Sequence, residues 1–246
     1  MNQKRLVIGN QLTFIRDGSP VYNALTGTVG VTNGSTALAG TGTSFESALV
    51  VGSHLLINGV VATIASITSD TAAVLSAAWA GATASLLTAG VQAGTSSNAA
   101  LPGTFAGNWL SAGTVEDATI NSKKTVEDVM APSPFAYQRA DRLATMRSLD
   151  ISCTIQQMSE IIYEMLLQSG QLTDATAFSP GAGTGQIRGW VQLSQGDGLN
   201  VQRATMQCYA IMEMTALQTN GKLSKPKIDI FVVYNALNTG VTALAA

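Results

Sequence analysis

The residues able to do chemistry are few and scattered. The chain holds a single histidine, His54, with no carboxylate or cysteine near it in sequence. A metal centre or a Ser-His-Asp arrangement needs converging partners, so neither is expected, and no cofactor is expected. The run Gly181-Ala182-Gly183-Thr184-Gly185 has the glycine content of a phosphate-cradling loop. Such a loop follows a strand and opens a helix with Lys-Ser or Lys-Thr after the glycines, whereas Gln186-Ile187-Arg188 begins a strand pattern, so a hairpin connection is the expectation. Two carboxylate pairs, Glu116-Asp117 and Glu127-Asp128, are adjacent residues. Neighbours on a strand point to opposite faces, so neither pair is expected to set an acid and a base over one substrate. Cys153 and Cys208 fall on apolar faces of alternating patterns and read as buried, reduced thiols packed like small hydrophobes. The expectation is a protein that is not an enzyme.

The elements that must position these residues centre on Leu149 to Gly170, LDISCTIQQMSEIIYEMLLQSG, where a strand runs into a helix. Ile151, Cys153 and Ile155 alternate with polar residues, the two-residue period of a strand. Ile161, Ile162, Met165 and Leu166 then recur at helical spacing, with Ser159 placed as N-cap and Gly170 as stop. A helix of about three turns is unstable alone in water, so it must bury its stripe on a sheet. The predicted fold is mainly β with one packed α-helix: a β-sandwich or curled sheet, plus an inserted small all-β domain.

Composition locates the insertion. Of 13 basic and 15 acidic residues, the span 27–103 holds only Glu46 and Asp70. Short strand patterns fill it (27–32, 35–40, 54–58, 60–67, 72–75, 83–88), Asn33-Gly34 reads as a two-residue hairpin, and GVQAGTSSNAALPG reads as a linker. The domains are therefore expected at 1–26 with 104–246, and at 27–103. Leu6, Ile8, Leu12 and Phe14 give a short opening strand that turns at Asp17-Gly18-Ser19-Pro20. A net charge of −2 with 11% charged residues argues against a nucleic-acid binder held by a basic surface. MNQKRLVIGN has too short an apolar run for a secretion signal, and the charge-free span 71–115 is too rich in Ala, Thr, Ser and Gly for a membrane span, so no membrane insertion is expected.

Charges return after residue 103. Trp109 to Ile120 and Leu143 to Ile155 read as strands joined by a long polar stretch, Asn121 to Asp141. Two readings of that stretch stand side by side: a solvated loop, or an intersubunit arm that orders on contact, carried by Lys123, Lys124, Glu127, Asp128, Arg139, Asp141 and Arg142. In the last third, Ile187 to Gln195, Leu199 to Met214 and Lys227 to Tyr234 read as strands. On the second, Ala204, Met206, Cys208, Ala210, Met212 and Met214 share the buried face, and Arg203, Thr205, Gln207 and Tyr209 the other. The end, from Asn235, reads as a loose tail.

The order of a short first strand, a Trp109-Leu-Ser-Ala-Gly113 strand running into VEDATI, a long charged connection, a strand leading into one helix and a final β run resembles the major tail tube proteins of long-tailed bacteriophages. The stretch GTVGVTNGSTALAGTGTSFESAL…VATIASITSDTAAVLSAAWAGATAS is similar to a small β module of phage tail and fibre proteins. The resemblance implies hexameric rings stacked into a tube, located in the virion tail after assembly in the host cytoplasm. Its partners would be further copies of itself and other tail proteins, and DNA would pass through the lumen without specific binding. Strands 113–120 and 201–213 each carry a polar face fit for a lumen, with Glu116, Asp117 and Glu213 as its acidic residues; Glu116 and Asp117 are expected on opposite faces. Two other classes compete: a receptor- or carbohydrate-binding tail or fibre protein, whose inserted module offers Phe45, Trp79 and nearby Phe105, and a small β enzyme.

Overall fold

The computed structural model describes residues 10–133, 136–156, 160–168, 181, 183–196, 202–218 and 225–243. In chain order the elements are β1 (Asn10–Arg16), β2 (Pro20–Ala24), β3 (Thr28–Val31), β4 (Ala37–Thr41), α1 (Phe45–Ala48), β5 (His54–Ile57), β6 (Val60–Ser69), β7 (Ala72–Leu75), β8 (Ala84–Leu87) and β9 (Ala89–Thr95). After a 3-10 turn at Ala106–Asn108 come β10 (Leu110–Ser133), β11 (Ala136–Ile155), α2 (Glu160–Leu167), β12 (Gln186–Gly196), β13 (Gln202–Gln218), β14 (Lys225–Val232) and β15 (Thr239–Ala243). The fold is mainly β, two curled antiparallel sheets with α2 packed into the core of one. Leu6 and Ile8, the N-cap Ser159, the stop Gly170 and the turn Asp197-Gly198 lie outside the described residues.

The chain divides into two units, one up to Phe14 and from Ser111 onward, the other Ile15–Leu110. In the first, the strands run β12-β1-β10-β11-β14-β13-β15, and β12 also pairs with β13. That last ladder, from Gln186↔Glu213 to Gly196↔Gln202, closes six strands into a ring. Alternation fills the ring from every side. Leu12 and Phe14, Ala112 and Val115, Ile151, Cys153 and Ile155, Ile187, Val191 and Leu193, Cys208, Ala210 and Met212, and Ile228 and Ile230 form one buried cluster, joined by Ile162 and Met165 of α2. Gly113 sits within β10 at φ 122, a backbone state that L side chains rarely adopt, which gives the glycine of the Trp-x-x-x-Gly motif a role in bending that strand.

The second unit is larger than composition indicates. β2 and β9 pair from Pro20↔Thr95 to Ala24↔Gly90, so residues expected in the first domain and in the linker close the insertion instead. Asn108, buried, fastens the same edge: its Oδ1 accepts from the Tyr22 N–H at 2.7 Å and its Nδ2 donates to the Tyr22 carbonyl at 2.8 Å. The sheet runs β2-β9-β5-β6-β7-β4-β3-β8 over a core of Phe45, Trp79, Leu38, Leu55, Ile57 and Ile64. β9 escapes sequence reading because Gly, Ala and Thr give it no alternation. The two-residue Asn-Gly turn is Asn58-Gly59, with φ of 47 and 80, closing Ile57 onto Val60. Around Asn33-Gly34 the connection is longer, since pairing starts at Val31↔Leu38.

Three substitutions test this account. Ile151→Ala removes a fully buried side chain and should cost about 2–5 kcal/mol in urea unfolding, whereas Ile120→Ala, opposite it in register but 48% exposed, should cost under about 1 kcal/mol. Asn108→Ala strands two backbone groups of Tyr22 and should destabilise residues 15–110 by at least about 2 kcal/mol, read by urea unfolding of that span expressed alone. Equal costs for the two isoleucines would contradict the end of the buried core between these two strands.

Candidate functional site

Beyond the last β14 pairing, Asp150↔Phe231, β10 and β11 continue together as a hairpin arm. The stretch over 121–141, read as a solvated loop or an arm that orders on contact, is thus strand on both sides, paired from Asn121↔Asp150 to Ser133↔Ala136 with register shifts after Thr125 and after Val129. Fourteen residues from Ile120 span about 45 Å at the usual strand rise. Residues 121–132 of β10 are exposed or half-exposed throughout, as are the described side chains of β11 from Arg139 to Asp150. The reason for strand is local: Thr125, Val126, Val129 and Leu143 favour extended backbone, and cross-strand charges hold the rungs. Asp128 takes Arg139 at 2.8 Å and Arg142 at 3.5 Å, and Asp150 takes Lys123 at 2.8 Å. The Asp150 hydrogen bond and charge raise the Lys123 ammonium above its ordinary range.

Register separates the charges into two faces. Lys124 lies opposite Arg147 and Asp128 opposite Arg142, with Arg139 one rung on; these residues share the parity of Ile151, the core side. Lys123, Glu127 opposite Leu143, and Val129 opposite Asp141 share the parity of Asp150 and Ser152, the outer side. Glu127 and Asp128 therefore do face opposite ways.

Glu116 and Asp117 do not. Val115 pairs with Ile155 but Asp117 with Thr154, so Glu116 is the extra residue of a β-bulge. Val115 points to the core, Glu116 and Asp117 are both exposed, and Ala118 turns inward again opposite Cys153. The three-residue step between apolar Val115 and Ala118 was the signal for it. Glu116 is paired with Lys225 at 2.7 Å on the surface. Glu213 faces outward between buried Met212 and half-buried Met214, opposite Asp229 and Gln186, and accepts from the Gln186 amide. Ser152 Oγ donates to Asp229. The structure thus brings Glu116, Asp117 and Glu213 onto one outer face across β10, β11, β14 and β13.

The polar face expected along 201–213 is partly covered. Tyr209 is buried and meets buried Trp190 edge-on, centroids 5.7 Å apart at 72°. The segment after β14 runs beside it: Val233 N donates to the Tyr209 carbonyl at 2.9 Å and the Tyr209 N–H donates to Asn238 Oδ1 at 2.8 Å. The chain end expected as a loose tail then pairs with β13 as β15, from Gln207↔Thr239 to Ala204↔Ala243. Arg203 has no described side chain.

The remaining chemical candidates resolve into structure. His54 is exposed, its Nδ1 3.0 Å from Thr63 Oγ1. Gly181 and Gly183 donate to the Leu167 and Gln168 carbonyls at 2.8 and 2.6 Å, so the glycine run satisfies the C-terminal end of α2. A cavity of about 250 Å³ lies between residues 60–63 and 75–80, but the Trp79 ring is buried beside it, its Nε1 donating to the Ala82 carbonyl at 3.0 Å. Phe45 is fully buried too, so neither ring is a free stacking platform for a sugar. Among the described residues no group of His, Cys, Asp and Glu is placed to hold a metal, and no helix is long and apolar enough to cross a membrane. No family model, curated protein or solved structure matches the chain.

Burial pushes the Cys153 thiol up to about 12, with the Asp117 and Asp229 charges adding to it, and the Cys208 thiol up to about 11. The unfolded chain, with thiols near 9.0, sheds these protons first, so this contribution to stability is intact below pH 9 and lost as pH rises towards 12. Neither thiol should react with a disulfide reagent at pH 8 in the folded protein, and both should react in denaturant. Prompt labelling of either in the native state would contradict their burial.

Proposed function

We propose that the chain is a structural subunit of a bacteriophage tail, the major tube protein, which self-assembles into stacked, hexameric rings around a channel for DNA. The observation that carries this reading is the pairing of a closed six-stranded barrel with a long arm exposed on both faces. A two-stranded hairpin is at best marginally stable alone in water, so an arm of this length calls for a partner surface. A second copy of the same chain supplies one, and most soluble homo-oligomers adopt closed symmetry. The order of elements adds support: an early strand, a long hairpin, a strand leading to one helix, and a final β run.

In this reading the outer face bearing Glu116, Asp117 and Glu213 lines the channel. DNA carries about one phosphate charge per 1.7 Å, and a wall with an acidic surplus lets it slide. Lys225 and Lys227 on the same face offset part of that charge. The virion tail is the site of action, other tail proteins meet the ends of the tube, and the unit of Ile15–Leu110 is an appended module.

Two measurements test the proposal. Negative-stain images of the purified protein should show rings or tubes, and a monodisperse monomer at every concentration would overturn it. The triple substitution Glu116→Lys, Asp117→Lys and Glu213→Lys should leave tubes intact but slow DNA release from particles, most at low salt where screening is weakest. Release at the unchanged rate from particles with normal tails would remove this face from the channel.

A further inference from the structure

The two faces of the arm carry opposite charge. On the core-side face stand four cations, Lys124, Arg139, Arg142 and Arg147, against the single carboxylate Asp128. The outer face carries Glu127 and Asp141 and, at its base, Asp150, against the single cation Lys123. Asp150 and Lys123 neutralise each other at 2.8 Å. Asp128 is shared by two arginines. What is left over is Lys124 beside Arg147 on one face and Glu127 with Asp141 on the other.

Lys124 and Arg147 are direct cross-strand neighbours, and like charges so placed destabilise a hairpin. No carboxylate of the described residues shares that rung. An arm free in water gains nothing from such a pair, but a carboxylate brought from outside turns it into a two-cation receptor. The matching carboxylates are on the opposite face of the same element, Glu127 and Asp141 diagonal to each other across the two strands, so a second copy of the arm carries them.

We propose that arms stack between copies of this chain with an offset of about four residues along the strand, the basic face of one, centred on Lys124 and Arg147, receiving the acidic face of the next through Glu127 and Asp141. The contact joins two different surfaces, so each copy gives one and takes one. Such a head-to-tail contact propagates from copy to copy and makes a ring when its rotation closes. It also selects direction, because two basic faces or two acidic faces repel. The inference rests on the homo-oligomeric reading above and names the surfaces that make it.

The test is a charge exchange in the full-length chain. One variant carries Lys124→Glu with Arg147→Glu, the other Glu127→Lys with Asp141→Lys; all four side chains are exposed and none belongs to the barrel core, so each should keep the barrel's unfolding midpoint. By sedimentation velocity at low salt, each variant alone should self-associate at least about tenfold more weakly than wild type, and an equimolar mixture should regain assembly by alternating the two. Wild-type assembly by both single variants, or loss that mixing does not restore, overturns the arm contact while leaving the oligomer standing. A wild-type chain that stays monomeric overturns the oligomer itself, and the arm contact with it.

Discussion

The constraint on which the structure depends is the ladder between β12 and β13. It turns an open sheet into a ring, so every inward side chain from Leu12 to Ile230 meets another, and α2 adds Ile162 and Met165 to the same cluster. Closure also removes the edges that a charge-poor β chain would otherwise present to its neighbours. β13 is long enough to serve both sides. Its first half carries β15 and its second half β14 on the edge away from β12.

β10 and β11 leave the barrel already paired, with three bulges along the ladder, at Glu116, Thr145 and Ala140, each shifting the register by one residue while pairing continues. The arm has the length of a small domain and no core of its own. Its surface salt bridges, each worth about 0–1 kcal/mol, hold rungs but do not substitute for burial. About a third of the charged residues thus stand in an element with little to bury.

How much of this is legible in the sequence follows from where side chains alternate. Ile151, Cys153 and Ile155 announce their strand and its face, and Met206 to Met212 announce theirs. Parity fails where the backbone inserts a residue: Glu116 and Asp117 share a face only because of the bulge, and the apolar step from Val115 to Ala118 is its one trace. The arm reads as loop because a strand exposed on both sides needs no apolar period. β9 and the edge clamp at Asn108 are hidden for a different reason, since Gly and Ala carry little pattern and one Asn in a Gly-rich stretch looks like any turn residue. Tyr209 is misplaced by its own rule, because alternation tells which residues share a face but not what covers that face.

The central claim is that the arm gains its order from another copy of the chain. Hydrogen exchange of the backbone amides across a dilution series tests it most directly, since it reads the opening of each strand separately. The account predicts that amides of 121–133 and 136–148 become protected as concentration rises, while those of the β12–β13 ladder are protected at every concentration. Arm protection that does not change with concentration would contradict it.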